Sequence, residues 1–112
     1  MSERKPSRGH PRHLLDDALK TPVRFSAMAA LRNELEIDFA TLAELVEAGD
    51  SALSKAVALL KEAGYISVRK GYVANRPRTW IRATPAGMKA LATHSAALQA
   101  IATGVDPGEP TH

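Results

Sequence analysis

The chain contains no cysteine, which excludes a disulfide framework, a thiolate metal site and a cysteine nucleophile. Aromatic residues are scarce, with one Trp, two Tyr and two Phe in 112 residues, so material for stacking unpaired bases is thin. No apolar run approaches the roughly 20 residues that cross a bilayer. The opening MSERKPSRGHPRH lacks the apolar stretch of a secretory signal, so a cytosolic protein is expected. Chemistry-bearing clusters are missing too. The four histidines, His10, His13, His94 and His112, form no ligand spacing, and His94 is expected to be exposed; no metal or other cofactor is expected. Asp16 and Asp17 are adjacent and would point apart on a helix. No nucleophile–base pair and no glycine-rich phosphate loop after a strand is visible, so the chain does not read as an enzyme. The length suits about one domain, with no room for a sensor beside an effector.

What is present is charge, unevenly spread. The formal net charge is only +3. Residues 1–13 set Arg4, Lys5, Arg8 and Arg12 against Glu3 among Pro and Gly breakers, which reads as a disordered basic arm. Residues 14–50 are acidic, with Asp16, Asp17, Glu34, Glu36, Asp38, Glu44, Glu47 and Asp50 against Lys20, Arg24 and Arg32. Residues 51–83 reverse the sign, with Lys55, Lys61, Arg69, Lys70, Arg76, Arg78 and Arg82 against Glu62. Such a run is either a solvated face or a polyanion footprint.

Hydrophobic periodicity gives the order of elements. Leu14, Leu15, Ala18 and Leu19 make one stripe of a short helix over 13–20. Thr21 followed by Pro22 is a start signal, and Phe25, Met28, Leu31 and Leu35 carry a second helix to about Glu34. Ile37, Asp38 and Phe39 alternate as a very short strand. Thr41 and Glu44 have capping-box spacing ahead of Leu42, Leu45 and Val46, and Gly49 stops that helix early. Asp50 or Ser51 caps the next one, which buries Leu53, Ala56, Val57 and Leu60 and ends at a left-handed Gly64. Beyond Gly64 the period becomes two. Ile66 and Val68, then Ile81 and Ala83, point inward, while Ser67, Arg69, Trp80 and Arg82 point outward. The breakers Gly71, Asn75 and Pro77 make residues 70–78 a long basic hairpin tip. Trp80 is expected to cover the hairpin or the N-terminal helix. Thr84–Pro85 repeats the start signal for a last helix to about Ala102, before a Gly/Pro-rich tail over 104–112 that reads as disordered. The fold class is mainly α with a small antiparallel β-hairpin, the structured domain running over 14–103.

Four stretches in this order, KTPVRFSAMAAL, IDFATLAELVEAG, DSALSKAVALLKEAGYISVRKGY and RPRTWIRATPAGMKAL, resemble the winged helix-turn-helix regulators of bacteria, in the MarR-like and ArsR-like group, most closely its small single-domain members. The resemblance covers about 14–101. It implies a nucleoid-associated transcriptional regulator, in which helix 51–63 enters a DNA major groove and the wing 70–78 lies along the backbone or reaches a minor groove. The residues fit independently. With Leu53, Ala56, Val57 and Leu60 inward, the opposite face shows Ser51, Ala52, Ser54, Lys55 and Ala58, short neutral or basic side chains that admit a duplex. The resemblance also offers Thr41 as a phosphate contact; as a residue it reads equally as a cap. Lys70, Arg76 and Arg78 have no acid between them and are expected on phosphates. Small members of the group often carry a polar residue after the Ser-Lys pair where this chain has Ala56, so base readout is expected to be sparse and DNA shape important.

Regulators of this group are usually two-fold dimers. Met88, Leu91, Ser95, Leu98 and Ala102 recur at coiled-coil spacing, and with Leu14, Leu15 and Leu19 they are the expected homodimer interface. The expected partner is a near-palindromic operator in double-stranded DNA, bound by a repressor that occupies a promoter. A small-molecule effector, if the protein has one, has room only at a crevice between subunits. The competing reading is a protein-interaction module whose basic wing docks an acidic partner. RNA is a third, weaker option, since the wing's one aromatic is Tyr72.

Overall fold

A computed structural model describes residues 9–33 and 36–104. Arg4, Lys5 and Arg8 of the expected arm, the Glu34 and Leu35 end of the expected second helix, and residues 105–112 of the expected tail lie outside these.

Two 3₁₀ turns, Pro11–Leu14 and Asp17–Leu19, replace the single helix expected over 13–20. The cause is Asp16, whose carboxylate accepts the Ala18 N–H at 2.9 Å. A local side-chain bond of this kind competes with helix propagation. The first turn packs on the last helix, so residues 11–13 belong to the fold and not to an arm.

Thr21 caps helix α1 (Pro22–Leu31), its hydroxyl oxygen accepting the Arg24 N–H. Strand β1 (Ile37–Asp38) leads directly into α2 (Phe39–Val46). The cap here is Asp38 and not Thr41: Asp38 accepts the Thr41 N–H at 3.2 Å and the Thr41 hydroxyl at 2.7 Å. Starting the helix at Phe39 puts Phe39, Leu42, Ala43 and Val46 against the core at i, i+3, i+4 and i+7. Leu45, expected inside, falls on the flank of that stripe and is 60% exposed. The helix stops at Glu47, which adopts the left-handed conformation itself (φ 52°); Gly49 is instead the N-cap of α3 (Asp50–Glu62), where neither Asp50 nor Ser51 caps. Leu53, Ala56 and Leu60 of α3 are buried, and Gly64 is left-handed, as the sequence predicts.

Strands β2 (Ile66–Val73) and β3 (Arg76–Ala83) pair antiparallel from Ile66↔Ala83 to Val73↔Arg76, and β1 adds to the far edge of β3 through Ile37↔Ile81 and Asp38↔Trp80. The long loop expected over 70–78 is instead strand on both sides of a two-residue turn, Ala74–Asn75, with φ of 52° and 66°. Two consecutive positive φ angles are the primed turn that suits strand twist, and Gly71 and Pro77 sit within the ladder.

Thr84 caps α4 (Pro85–Thr103) and ties it to the α3–β2 corner. Its hydroxyl accepts the Gly87 N–H and donates to the Gly64 carbonyl at 2.7 Å. Gly87 is required by close approach, because a Cβ there would collide with the Tyr65 carbonyl. Leu19, Met28, Leu31, Leu42, Leu53, Leu60 and Ile81 form the fully buried centre. Among the described residues four α-helices and a three-stranded antiparallel sheet make the winged helix fold that the sequence predicts.

His94, expected to be exposed, is 2% exposed. Its Nδ1 accepts the Asp16 N–H at 2.9 Å and its ring lies 5.5 Å from that of Phe25. The N-terminal strap and α4 therefore cover each other. Leu19 and Leu91, assigned to a dimer seam from sequence, are buried within the protomer, while Leu15 is half-buried.

Candidate nucleic-acid interface

Helix α3 presents Ser51, Ala52, Ser54, Lys55 and Ala58 to solvent, all exposed, as its apolar period requires. Ala56 is 4% exposed and packs inward. That position faces the core of the protomer and not the exposed side of α3.

The strand period then sorts the wing's cations onto two faces. Lys70 follows Ile66 and Val68 on the face toward α3, opposite Thr79. Between this face and α3 lies a crevice of about 400 Å³ whose walls include Ser54, Ala58, Lys61, Val68, Lys70 and Thr79. The helical period alone gives Lys61 no role; its place at the last turn of α3 facing a strand follows from the helix and strand periods taken together. Lys55, Lys61, Lys70 and Arg76 are exposed and have no ion-pair partner among the described residues.

Arg76 and Arg78 fall on the opposite face with Arg69, Trp80 and Arg82. For Arg78 the expected lack of a neighbouring acid is corrected here, because Asp38 of β1, with Glu36 just before the strand, lies on this face. Arg69 donates from Nε and Nη2 to Glu36 at 3.0 and 2.9 Å. This fork, with the charges of Arg69 and Arg82, holds the Glu36 carboxyl below its usual range. Asp38 is held low by its bonds from Thr41, with a contribution from the charge of Arg78. Thr41 is a poor anion contact for the same reason: its hydroxyl proton is committed to Asp38, and that carboxylate occupies the α2 N-terminus.

Of the residues expected at a dimer seam, Leu14, Leu98 and Ala102 are exposed, and Ile101 joins them. Met88 and Ser95 are half-buried and line a crevice of about 560 Å³ between α1 and α4, with Phe25, Ala29 and Arg32. Among the described residues no group of three or more His, Asp or Glu is placed to hold a metal ion, and no helix is long and apolar enough to cross a membrane.

The sequence pattern of one family, described as a winged helix DNA-binding domain, matches residues 23–102. No curated protein matches the chain. Among solved structures, a transcriptional regulator homologue from Pyrococcus horikoshii OT3 aligns with a TM-score of 0.74 at 24% identity, covering 85% of this chain and 95% of that one. The PcaV transcriptional regulator from Streptomyces coelicolor, solved with its natural ligand, aligns at 0.67 and 18% identity over 83% of this chain and 64% of its own. A MarR-family regulator from Silicibacter pomeroyi gives 0.62 and 21% over 89% and 66%. These are likenesses of fold.

Proposed function

The chain belongs to the winged helix DNA-binding domain family, and from that premise we propose that it is a sequence-specific transcriptional regulator that binds double-stranded DNA as a homodimer and represses by occupying a promoter. One observation carries this reading. Lys55 on the exposed side of α3 and Lys61 and Lys70 in its crevice with the wing have no ion-pair partner among the described residues, while Glu36 and Asp38 are on the far side of the sheet. Three cations without acidic partners beside a row of small side chains are what a phosphate backbone and a groove need.

In this reading Ser51, Ala52, Ser54 and Lys55 meet base edges, and Lys61, Lys70 and Arg76 meet phosphates. Arg78 has a smaller share because Asp38 is near it. Thr41 acts through its bond to Asp38 and not on DNA. Residues 14–103 act as the domain, joined by residues 11–13 of the strap. The exposed Leu14, Leu98, Ile101 and Ala102, with Met88 and Ser95 beside them, form the face for the second copy. A small-molecule effector would meet both subunits there. Two α3 helices then lie about 34 Å apart on a near-palindromic site.

The test is selection of duplexes from a random pool by the purified protein, followed by titration of the selected site at several salt concentrations. The expected result is a palindromic consensus with a log–log salt slope of about −0.9 per phosphate contacted. Enrichment of no duplex, with capture of an acidic protein that survives nuclease treatment, would replace this reading with that of a protein-interaction module.

A further inference from the structure

The outer face of the wing carries an arrangement that phosphate binding does not use. Arg69 is a wing cation, yet both prongs of its fork are held by Glu36, a residue 33 positions earlier in the chain. Its guanidinium carbon lies 4.1 Å from the centroid of the Trp80 ring. Trp80 is directly across the ladder from Arg69 and also pairs with Asp38 of β1. The ring extends toward the tip over Gly71, where an added Cβ would lie 3.1 Å from Trp80 Cζ3. Glu36, Arg69, Trp80 and Gly71 thus form one layer from the base of the sheet onto the ribbon.

The layer sits where the sheet narrows. β1 pairs with β3 only at Ile37↔Ile81 and Asp38↔Trp80. Beyond Trp80, residues 70–79 continue as a two-stranded ribbon, a structure that twists strongly and is marginal without support. Its angle to α3 sets the width of the crevice between Lys61 and Lys70. A fork between an exposed Arg69 and a half-buried Glu36, at 57% and 28% side-chain exposure, adds little to global stability. It does fix a direction, because a bidentate guanidinium pair is geometrically specific and the ring beneath restrains the guanidinium plane.

We propose that Glu36, Arg69 and Trp80 clamp the base of the wing and set its angle to α3, so that Glu36, an acid in a DNA-binding domain, strengthens DNA binding as a positioning residue. The inference rests on the DNA-binding reading above and names three residues that act without touching DNA.

The clamp makes a prediction whose sign opposes simple electrostatics. Removing a negative charge from a DNA-binding protein ordinarily tightens binding. The clamp requires Glu36→Gln to weaken it, by about fivefold on the selected duplex, with the salt slope unchanged because no phosphate contact is removed. Arg69→Lys, which keeps the charge and loses the fork, should weaken binding similarly. Amide hydrogen exchange on the free protein supplies the second readout: in both variants residues 70–79 should exchange faster, while α3, α4 and the melting temperature stay as in the parent. The emission of Trp80, the one Trp of the chain, should shift in both, because the guanidinium stacked on the ring is released in Glu36→Gln and absent in Arg69→Lys. Equal or tighter binding by Glu36→Gln would overturn the proposal, as would unchanged exchange over 70–79. If the parent protein binds no duplex, the DNA-binding reading fails, and the exchange and emission measurements still decide whether the clamp holds the wing.

Discussion

His94 accepts a backbone N–H through Nδ1 and is almost wholly buried, so the neutral ring carries its proton on Nε2. Protonating Nδ1 would set two donors against each other at the Asp16 amide. Burial lowers the pKa of His94, the charge of Lys20 lowers it further, and the Asp16 carboxylate opposes both. That carboxylate also accepts the Tyr65 hydroxyl, which raises the tyrosine pKa above its usual value. With the folded pKa of His94 depressed, the unfolded chain takes up the proton first as pH falls through about 6.5. The stability that this residue contributes is therefore complete above that pH and lost below it. Melting temperature should fall between pH 7 and 5 in the parent protein and fall less steeply in His94→Gln, whose amide oxygen can accept the same N–H. Parallel pH profiles would show that His94 does not control the strap. Positive φ gives a second test at this scale. Ala74 holds φ 52° in the wing turn, a conformation that costs an L-residue about 1–2 kcal/mol. Ala74→Gly should raise stability by about 0.5–1 kcal/mol after the extra unfolded-state entropy of glycine is counted, as denaturant titration would register. Gly87→Ala works in the opposite direction, since its methyl would meet the Tyr65 carbonyl; a loss of about 1–3 kcal/mol is expected from overpacking.

At the scale of elements, sequence reading succeeds where one period runs without interruption and fails where a side chain intervenes. Helix α3 is legible because Leu53, Ala56 and Leu60 recur at helical spacing and Gly64 ends the run, and its exposed face follows by subtraction. The N-terminal segment has an equally good apolar stripe, yet Asp16 redirects the backbone by binding Ala18. Asp38 likewise shifts the start of α2 by capping it, which turns Leu45 outward. In the wing, Gly71 and Pro77 look like loop residues. Their tolerance in the ladder depends on the ring of Trp80 over Gly71 and on the position of Pro77 in the ribbon beyond β1, neither of which is a local property. The site was legible in part for the same reason. Lys55 and Lys70 could be picked out as charges, but the register that brings Lys70 and Lys61 to one crevice, and sends Arg78 toward Asp38, exists only once the turn is fixed at Ala74–Asn75. The crevice therefore yields a graded prediction. Lys61→Ala and Lys70→Ala should each weaken binding to all duplexes and reduce the magnitude of the salt slope by about one phosphate, whereas Arg78→Ala should have a smaller effect. An Arg78 effect larger than both would place the DNA on the other face of the ribbon.

For the whole molecule, the strap changes what a second copy can bury. The sequence pattern leaves the Leu14–Leu19 segment and the last helix both in need of cover, and the structure satisfies much of that need within one chain: Leu19, His94, Ala97 and Ala100 are all buried. What is left is narrower and lies farther along α4, where Leu98 is 39% and Ile101 38% exposed one helical turn apart, with Leu14 at 47% on the strap that packs against the helix. Apolar residues of this size are worth about 1.5–3 kcal/mol each when fully buried, and symmetry doubles every contact across a two-fold axis. If this face joins two copies, a double substitution of Leu98→Glu and Ile101→Glu should leave the fold intact, since neither side chain belongs to the protomer core. It should yield a monomer in sedimentation equilibrium. The same variant should bind an isolated half-site as the parent does and lose the added affinity of the full palindrome, because the two α3 helices are no longer linked. A variant that still sediments as the parent's dimer would move the interface elsewhere, with the α1–α4 crevice lined by Met88 and Ser95 as the next surface to substitute.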